Sequence, residues 1–265
     1  METRPTRAAL AAWAAAVVFF LWFPLVLICL YAFNSSNIQS WPIAGFTLHW
    51  FSVAWHDTEA RSALWLSLEA ALLATSVALV LGTMAAFAVS RFRFFGRDVV
   101  SFIVVLPIAL PGVITGIALA SFFSFGAITF SLWTIVVGHA TFCIVVVYNN
   151  VVARLRRTQT SLMEASMDLG ADGWQTFRYV TFPVVSTALI SGALLAFALS
   201  FDEVIVTTFT AGAQNTLPLW IFGNIRLGQQ LPEVNAVVFV IIAATVIPVT
   251  IAQRLTSDTG ILRRT

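Results

Sequence analysis

Three carboxylates stand inside apolar runs: Asp202 and Glu203 interrupt LLAFALSFDEVIVTTF, and Glu69 interrupts LWLSLEAALL. A carboxylate in hydrocarbon costs several kcal/mol, about 2.5 to 3.5 for Asp at a helix centre on the insertion scale, so each must face protein or water. Along a water-lined path, such acids lower the cost of moving a cation or an ammonium group through a low-dielectric layer. The alternative is structural, with each acid bonded to a neighbouring helix or seated at a wet rim. Counted at ~1.5 Å per residue, Asp202 lies about 28 Å from Pro183 and Glu69 about 12 Å from Arg61. Both acids then fall in the outer half of an apolar layer at comparable height.

Other chemistries lack their residues. There is no lysine, so neither a phosphate-loop lysine nor a Schiff-base lysine exists in this sequence, and no G-x-S-x-G or H-E-x-x-H string occurs. His49 and His56 share a polar segment with Asp57 as their one near acidic partner, and His139 stands alone in an apolar run, where a packing role is the default. Cys29 and Cys143 lie in separate apolar runs and read as small apolar core residues.

A second constellation is polar. Residues 164–183 read EASMDLGADGWQTFRYVTFP between two long apolar runs. Ser161 is placed to cap a helix with Glu164 three residues on, and Gly170 to end it in a left-handed turn. A second short helix is expected to carry Trp174, Phe177 and Val180 on one face, with Pro183 starting the next apolar helix. Such a stretch suits a docking surface.

The elements that must position these residues are membrane helices. The chain is 59% hydrophobic and 10% charged, with a mean hydropathy of +0.91. Apolar runs predict six spans at about 9–33, 63–90, 99–124, 128–152, 184–210 and 235–254. All 14 basic residues are Arg, and only Arg61 and Arg226 fall outside alternate connections. The positive-inside rule therefore puts both termini and the 164–183 stretch in the cytoplasm. The first run is too long for a signal-peptide core, so an uncleaved span is expected.

Between spans one and two, Phe46, Trp50, Phe51 and Trp55 suggest a helix lying at the membrane surface or a contact patch for an external partner. Between Gly212 and Glu233 a second segment is too apolar to be only a turn. Pro107 and Pro111 predict a kink in span three, and with it a candidate gate. Gly116, Gly126, Gly138 and Gly192 permit close helix approach.

The polar stretch resembles the EAA loop of bacterial ABC-importer permeases, whose pattern is E-A-A, three residues, G, nine residues, I, one residue, L-P. Glu164, Ala165, Gly170, Val180, Phe182 and Pro183 fall in register with it, while Ser166 replaces the second Ala, and Val180 and Phe182 replace Ile and Leu. In addition, SFDEVIVTTFTAG with TLPLWIF, and LSLEAALLATSVALVLGTMAAFAVSRF, resemble permeases of the polyamine class, those of spermidine and putrescine importers.

The resemblance implies an all-α membrane protein with the six-helix, MetI-like fold of type I ABC importer permeases, in a bacterial inner membrane. Residues 1–62 would form a peripheral helix and external segment, 63–254 the core with the coupling loop at 154–183, and 255–265 a cytoplasmic tail. Implied partners are a second homologous permease, a dimer of cytoplasmic ATPases and an external substrate-binding protein. This chain itself would bind no cofactor and do no catalysis, ATP and Mg²⁺ belonging to the ATPase. Glu164, Ala165, Gly170, Trp174, Phe177 and Pro183 would couple ATPase to membrane. Asp202, Glu203 and Glu69 would line a path for putrescine or spermidine moving by alternating access. An importer of 4-aminobutyrate or another small amine or amino acid, with Arg226 as a carboxylate donor, is the alternative. A secondary transporter or channel would have no need of the docking loop, and no internal repeat is evident.

Overall fold

The computed structural model describes residues 4–159 and 161–261, with side chains described for 6–159 and 161–246. All the regular structure among them is helical: α1 (Arg4–Tyr31), α2 (His49–His56), α3 (Thr58–Arg91), α4 (Arg97–Ala109), α5 (Gly112–Phe125), α6 (Leu132–Arg157), α7 (Ser161–Asp168), α8 (Gly173–Thr176), a π-helical turn (Phe177–Thr181), α9 (Phe182–Phe201), α10 (Ile205–Thr210), α11 (Leu217–Leu227) and α12 (Leu231–Ile261).

Four of these are long and apolar enough to cross a membrane: Thr6–Tyr31, α3, α6 and the continuous stretch Gly173–Phe201. The predicted third span is not one kinked helix. It is two, α4 and α5, bent 106° apart, and counting the pair as one gives five spans. Pro107 lies inside α4 and Pro111 is the N-cap of α5, so the two prolines leave extended Leu110 between two helices that cannot join.

The predicted fifth span, 184–210, is also interrupted. Helix α9 stops at Phe201 and α10 restarts at Ile205, because the polar side chains between them bond to backbone that a continuous helix would have used. Residues 235–254 fall within α12, whose described apolar part runs from Leu231 to Val246. α12 also extends through the tail expected from 255, and residues 262–265 lie outside the described ones.

The chain forms two compact units, residues 62–220 and residues 1–61 with 221–265. In the first, α6 is the centre. Its Cys143, Val147, Tyr148, Val151, Val152 and Leu155 are buried with Ala78, Ala86 and Val89 of α3 and Val185 and Ala196 of α9. Small residues bring the helices together: a Cβ on Gly82 would lie 2.9 Å from the Ile144 carbonyl oxygen, so α3 meets α6 backbone to backbone there. Helix α11 is tied in at its start, where the Leu217 amide donates to Ser67 Oγ at 2.8 Å.

In the second unit, α1 and α2 both pack on α12. Phe33, Phe51 and Phe239 form an aromatic cluster with centroids 5.1 to 5.6 Å apart. Trp50 Nε1 donates to the Asn34 carbonyl at 2.8 Å, while Phe46 and Trp55 are exposed. Two of the four aromatics expected at a surface are thus structural. The exposed apolar side chains of α1, Trp13 and Phe20 among them, suit lipid as a solvent.

Candidate functional site

The polar stretch folds into a stiff elbow. Helix α7 is described from Ser161, where a cap was expected, and residue 160 lies outside the described ones. Its far end is a Schellman closure. Gly170 has φ +87°, its amide donates to Met167 O at 2.8 Å, and Ala171 N donates to Ser166 O at 3.1 Å. Asp172 then caps α8 in a reciprocal box: its Oδ1 accepts from Gln175 N at 2.8 Å, and its own amide donates to Gln175 Oε1 at 2.9 Å. The two helices are pinned across the elbow by Ser166 Oγ and Thr176 Oγ1, 3.1 Å apart.

The second helix is not a separate element. From Gly173 the chain is helical without a break to Phe201, passing through the π turn at Phe177–Thr181. Pro183, at the start of α9, has no amide to give to the turn before it, and the wider π pitch takes up that loss. Two arginines fasten this region to the membrane helices. Arg154 Nε donates to Val184 O at 2.8 Å, and Arg91 Nη2 lies 3.4 Å from Thr181 Oγ1.

Glu164, Ala165 and Gly170 are exposed, and Trp174 is 66% exposed with its ring stacked 5.7 Å from Phe177. Phe177 in turn meets Phe87 of α3 at 6.0 Å. Met167, Leu169 and Tyr179 add exposed surface. This uncovered apolar area lies beside the acidic Glu164 and Asp168.

The break between α9 and α10 is built around His139. Thr207 Oγ1 donates to Glu203 O at 2.6 Å, so its one hydrogen is used and it must accept from His139 Nε2, 2.7 Å away. The imidazole Nδ1 is then an acceptor, and Ser200 Oγ, 2.7 Å from it, is the donor. A directed relay results, from Ser200 through neutral His139 and Thr207 to the Glu203 carbonyl. Glu203 is half-buried, and its Oε1 accepts from Val206 N at 2.9 Å, which caps α10. Asp202, the C-cap of α9, is exposed. Glu69 is half-buried on α3, and no group of three acids, histidines or cysteines comes together among the described residues.

A sequence model of the family described as the binding-protein-dependent transport system inner membrane component matches residues 78–257. This chain belongs to that family. Of its relatives, the putrescine transport system permease protein PotI of Escherichia coli (strain K12) is 37% identical over 85% of this chain and 82% of its own. The spermidine/putrescine transport system permease protein PotC of the same strain is 30% identical over 92% of each chain. The putative 2-aminoethylphosphonate transport system permease protein PhnV of Salmonella paratyphi A is 29% identical over 97% of each. In fold it is similar to a chain of a bacterial ABC transporter involved in the import of the acidic polysaccharide alginate, with a TM-score of 0.73, 16% identity, and coverage of 96% of this chain and 98% of that one.

The protein is therefore a multi-pass permease subunit rather than an enzyme, working with an ATPase and a substrate-binding protein. Sequence reasoning about this permease found the elbow but missed three features, two in the elbow and one at the α9–α10 break. The Asp172–Gln175 box was legible as D-x-x-Q. The Ser166–Thr176 bond had a signal in the one departure from E-A-A. The His139 relay had none, since its partners lie 61 and 68 residues away.

Proposed function

We propose that this permease imports a polyamine, putrescine or spermidine, by ATP-driven alternating access. The observation that carries the substrate is the similarity to PotI and PotC, permeases of putrescine and spermidine/putrescine systems. The break at Asp202 and Glu203 supports it with charge: an exposed acid at a helix C-terminus, where the backbone already bears partial negative charge, suits a passing ammonium. In this reading Glu69 lines the same path, and the α4–α5 bend at Pro107 and Pro111 is where the path opens and shuts.

The full architecture proposed is six spans with both termini in the cytoplasm, supported by the arginine sorting, with 1–62 peripheral, 63–254 as core and 255–265 as tail. The chain would pair with a homologous permease over two ATPases that carry ATP and Mg²⁺. Closure of the ATPases on ATP would move the elbow, with Glu164 against a basic group in the ATPase cleft, Ala165 and Gly170 shaping the turn and Trp174 and Phe177 giving apolar contact. Motion requires that ATP favour one conformation through differential contacts.

A small zwitterion such as 4-aminobutyrate is the second reading, favoured by the relative named for 2-aminoethylphosphonate, which also joins an amine to an anion. Uptake of labelled putrescine, spermidine and 4-aminobutyrate into vesicles holding the whole complex with its binding protein and ATP decides between them. Polyamine uptake that falls roughly tenfold or more in Asp202→Asn with ATPase activity retained supports the first reading. Uptake of 4-aminobutyrate alone replaces it.

A further inference from the structure

We propose that Asp57 and Glu233 form a binding site for a primary ammonium group, in the cleft where α2 meets the start of α12. It uses none of the residues assigned to transport above and does not depend on the polyamine reading. The cleft, of about 470 Å³, is lined by Ser52, Val53, His56, Asp57, Gln230 and Glu233. Glu233 is only 3% exposed, and its Oε1 has no hydrogen-bond partner. A buried carboxyl oxygen left without a donor is costly, and a site that keeps one has a donor to receive.

No lysine or arginine lines the cleft, and two of its side chains are carboxyl groups. Asp57 is held in place by the fold: its Oδ1 accepts from Glu59 N at 2.7 Å at the start of α3, and its amide donates to Val53 O at 2.9 Å. His56 Nδ1 lies 2.7 Å from Ser52 O, which can only accept, so Nδ1 carries the hydrogen of that bond. Burial and the adjacent Asp57 raise the Glu233 carboxyl to about 7, as expected of two neighbouring acids coupled through one proton. A primary ammonium supplies both the positive charge and three N–H donors. Among the described residues no set of ligands for a metal ion gathers here. A free alkylamine and a lysine side chain of an external partner carry the same group.

The test uses the full chain in nanodiscs and n-butylammonium as the probe, read by calorimetry with proton release measured in two buffers. Saturable binding with proton release near neutral pH is expected, weakened about tenfold or more in both Glu233→Gln and Asp57→Asn, the latter keeping a side chain able to cap α3. Tetramethylammonium, which has no N–H, should not compete. Equal binding of butylammonium by wild type and both variants, or none by wild type, overturns the proposal. A second arm identifies the source. If the binding protein loses affinity for Glu233→Gln and butylammonium competes with it on wild type, the natural group is a lysine; unchanged affinity assigns a free amine.

Discussion

His139 Nε2 donates to Thr207 Oγ1 across 2.7 Å, and through that bond one side chain of α6 fixes a carbonyl in the gap between α9 and α10. Because Thr207 has a single hydrogen and spends it on Glu203 O, the direction of every bond in the relay is settled. Thr207→Val leaves the imidazole N–H buried without an acceptor and should cost about 1–3 kcal/mol in denaturant unfolding, with Thr207→Ser restoring most of it. Nitrogen-15 spectra of the imidazole should show the Nε2–H tautomer; an Nδ1–H tautomer would contradict the assigned directions.

Gly170 occupies the left-handed region at φ +87°, where a Cβ costs about 1–2 kcal/mol although no neighbouring atom blocks it. Gly170→Ala should therefore leave the membrane helices intact, lower the coupling of ATPase activity to binding-protein addition several-fold, and leave basal ATPase activity unchanged. Loss of assembly in place of coupling would assign Gly170 to folding.

Trp174 is mostly exposed yet stacked on Phe177, an arrangement suited to a partner's groove. Trp174→Ala is expected to weaken ATPase association by about 2 kcal/mol or more, measured as co-purification yield and dissociation rate, with unfolding of the isolated permease nearly unchanged.

Ser166 and Thr176 hold the two arms of the elbow together. Ser166→Ala removes one hydrogen bond, worth about 0.5–1.5 kcal/mol, and should quicken amide exchange in α8 before any other helix of the region.

The acid pair gives a pH prediction. Glu233 binds its proton more tightly folded than unfolded, so the native state holds more protons between its ordinary value of 4.5 and about 7. Stability should fall as pH rises through that window and change no further from this cause above it. Arg7, Cys29 and Tyr31 on α1, His49 and His56 on α2, its C-cap Asp57, and Glu59 and Arg61 at the start of α3 are the charged or titratable groups, among residues with described side chains, on the adjoining elements. Thermal unfolding of Glu233→Gln beside wild type isolates the Glu233 contribution, and parallel curves would remove it.

Membrane character and the helical elbow were legible because each rests on local pattern: apolar run length, and Glu164, Gly170 and Pro183 at fixed spacing. What run length hides is where an apolar stretch stops being helical. Residues 184–210 read as one span since Asp202 and Glu203 occupy two positions in an otherwise apolar run, while the break is capped by Glu203 on Val206 N and braced on both sides by His139, far away in sequence. Likewise Pro107 and Pro111 signalled a disturbance, but its size, 106°, depends on packing no window contains. The Glu233 site went unread because its partner Asp57 lies on another element.

The π turn at Phe177–Thr181 amounts to one extra residue inside an otherwise α-helical register. Each residue of an α-helix advances the azimuth by about 100°. Everything after the turn, to Ser200 and the acids beyond it, thus takes its angular phase from those five residues. Deleting a single residue there would rotate the whole of α9 by more than a quarter turn relative to the elbow and carry Ser200 away from His139. The angle at which the acids are presented is therefore written at the opposite end of the helix, in a segment that touches none of them.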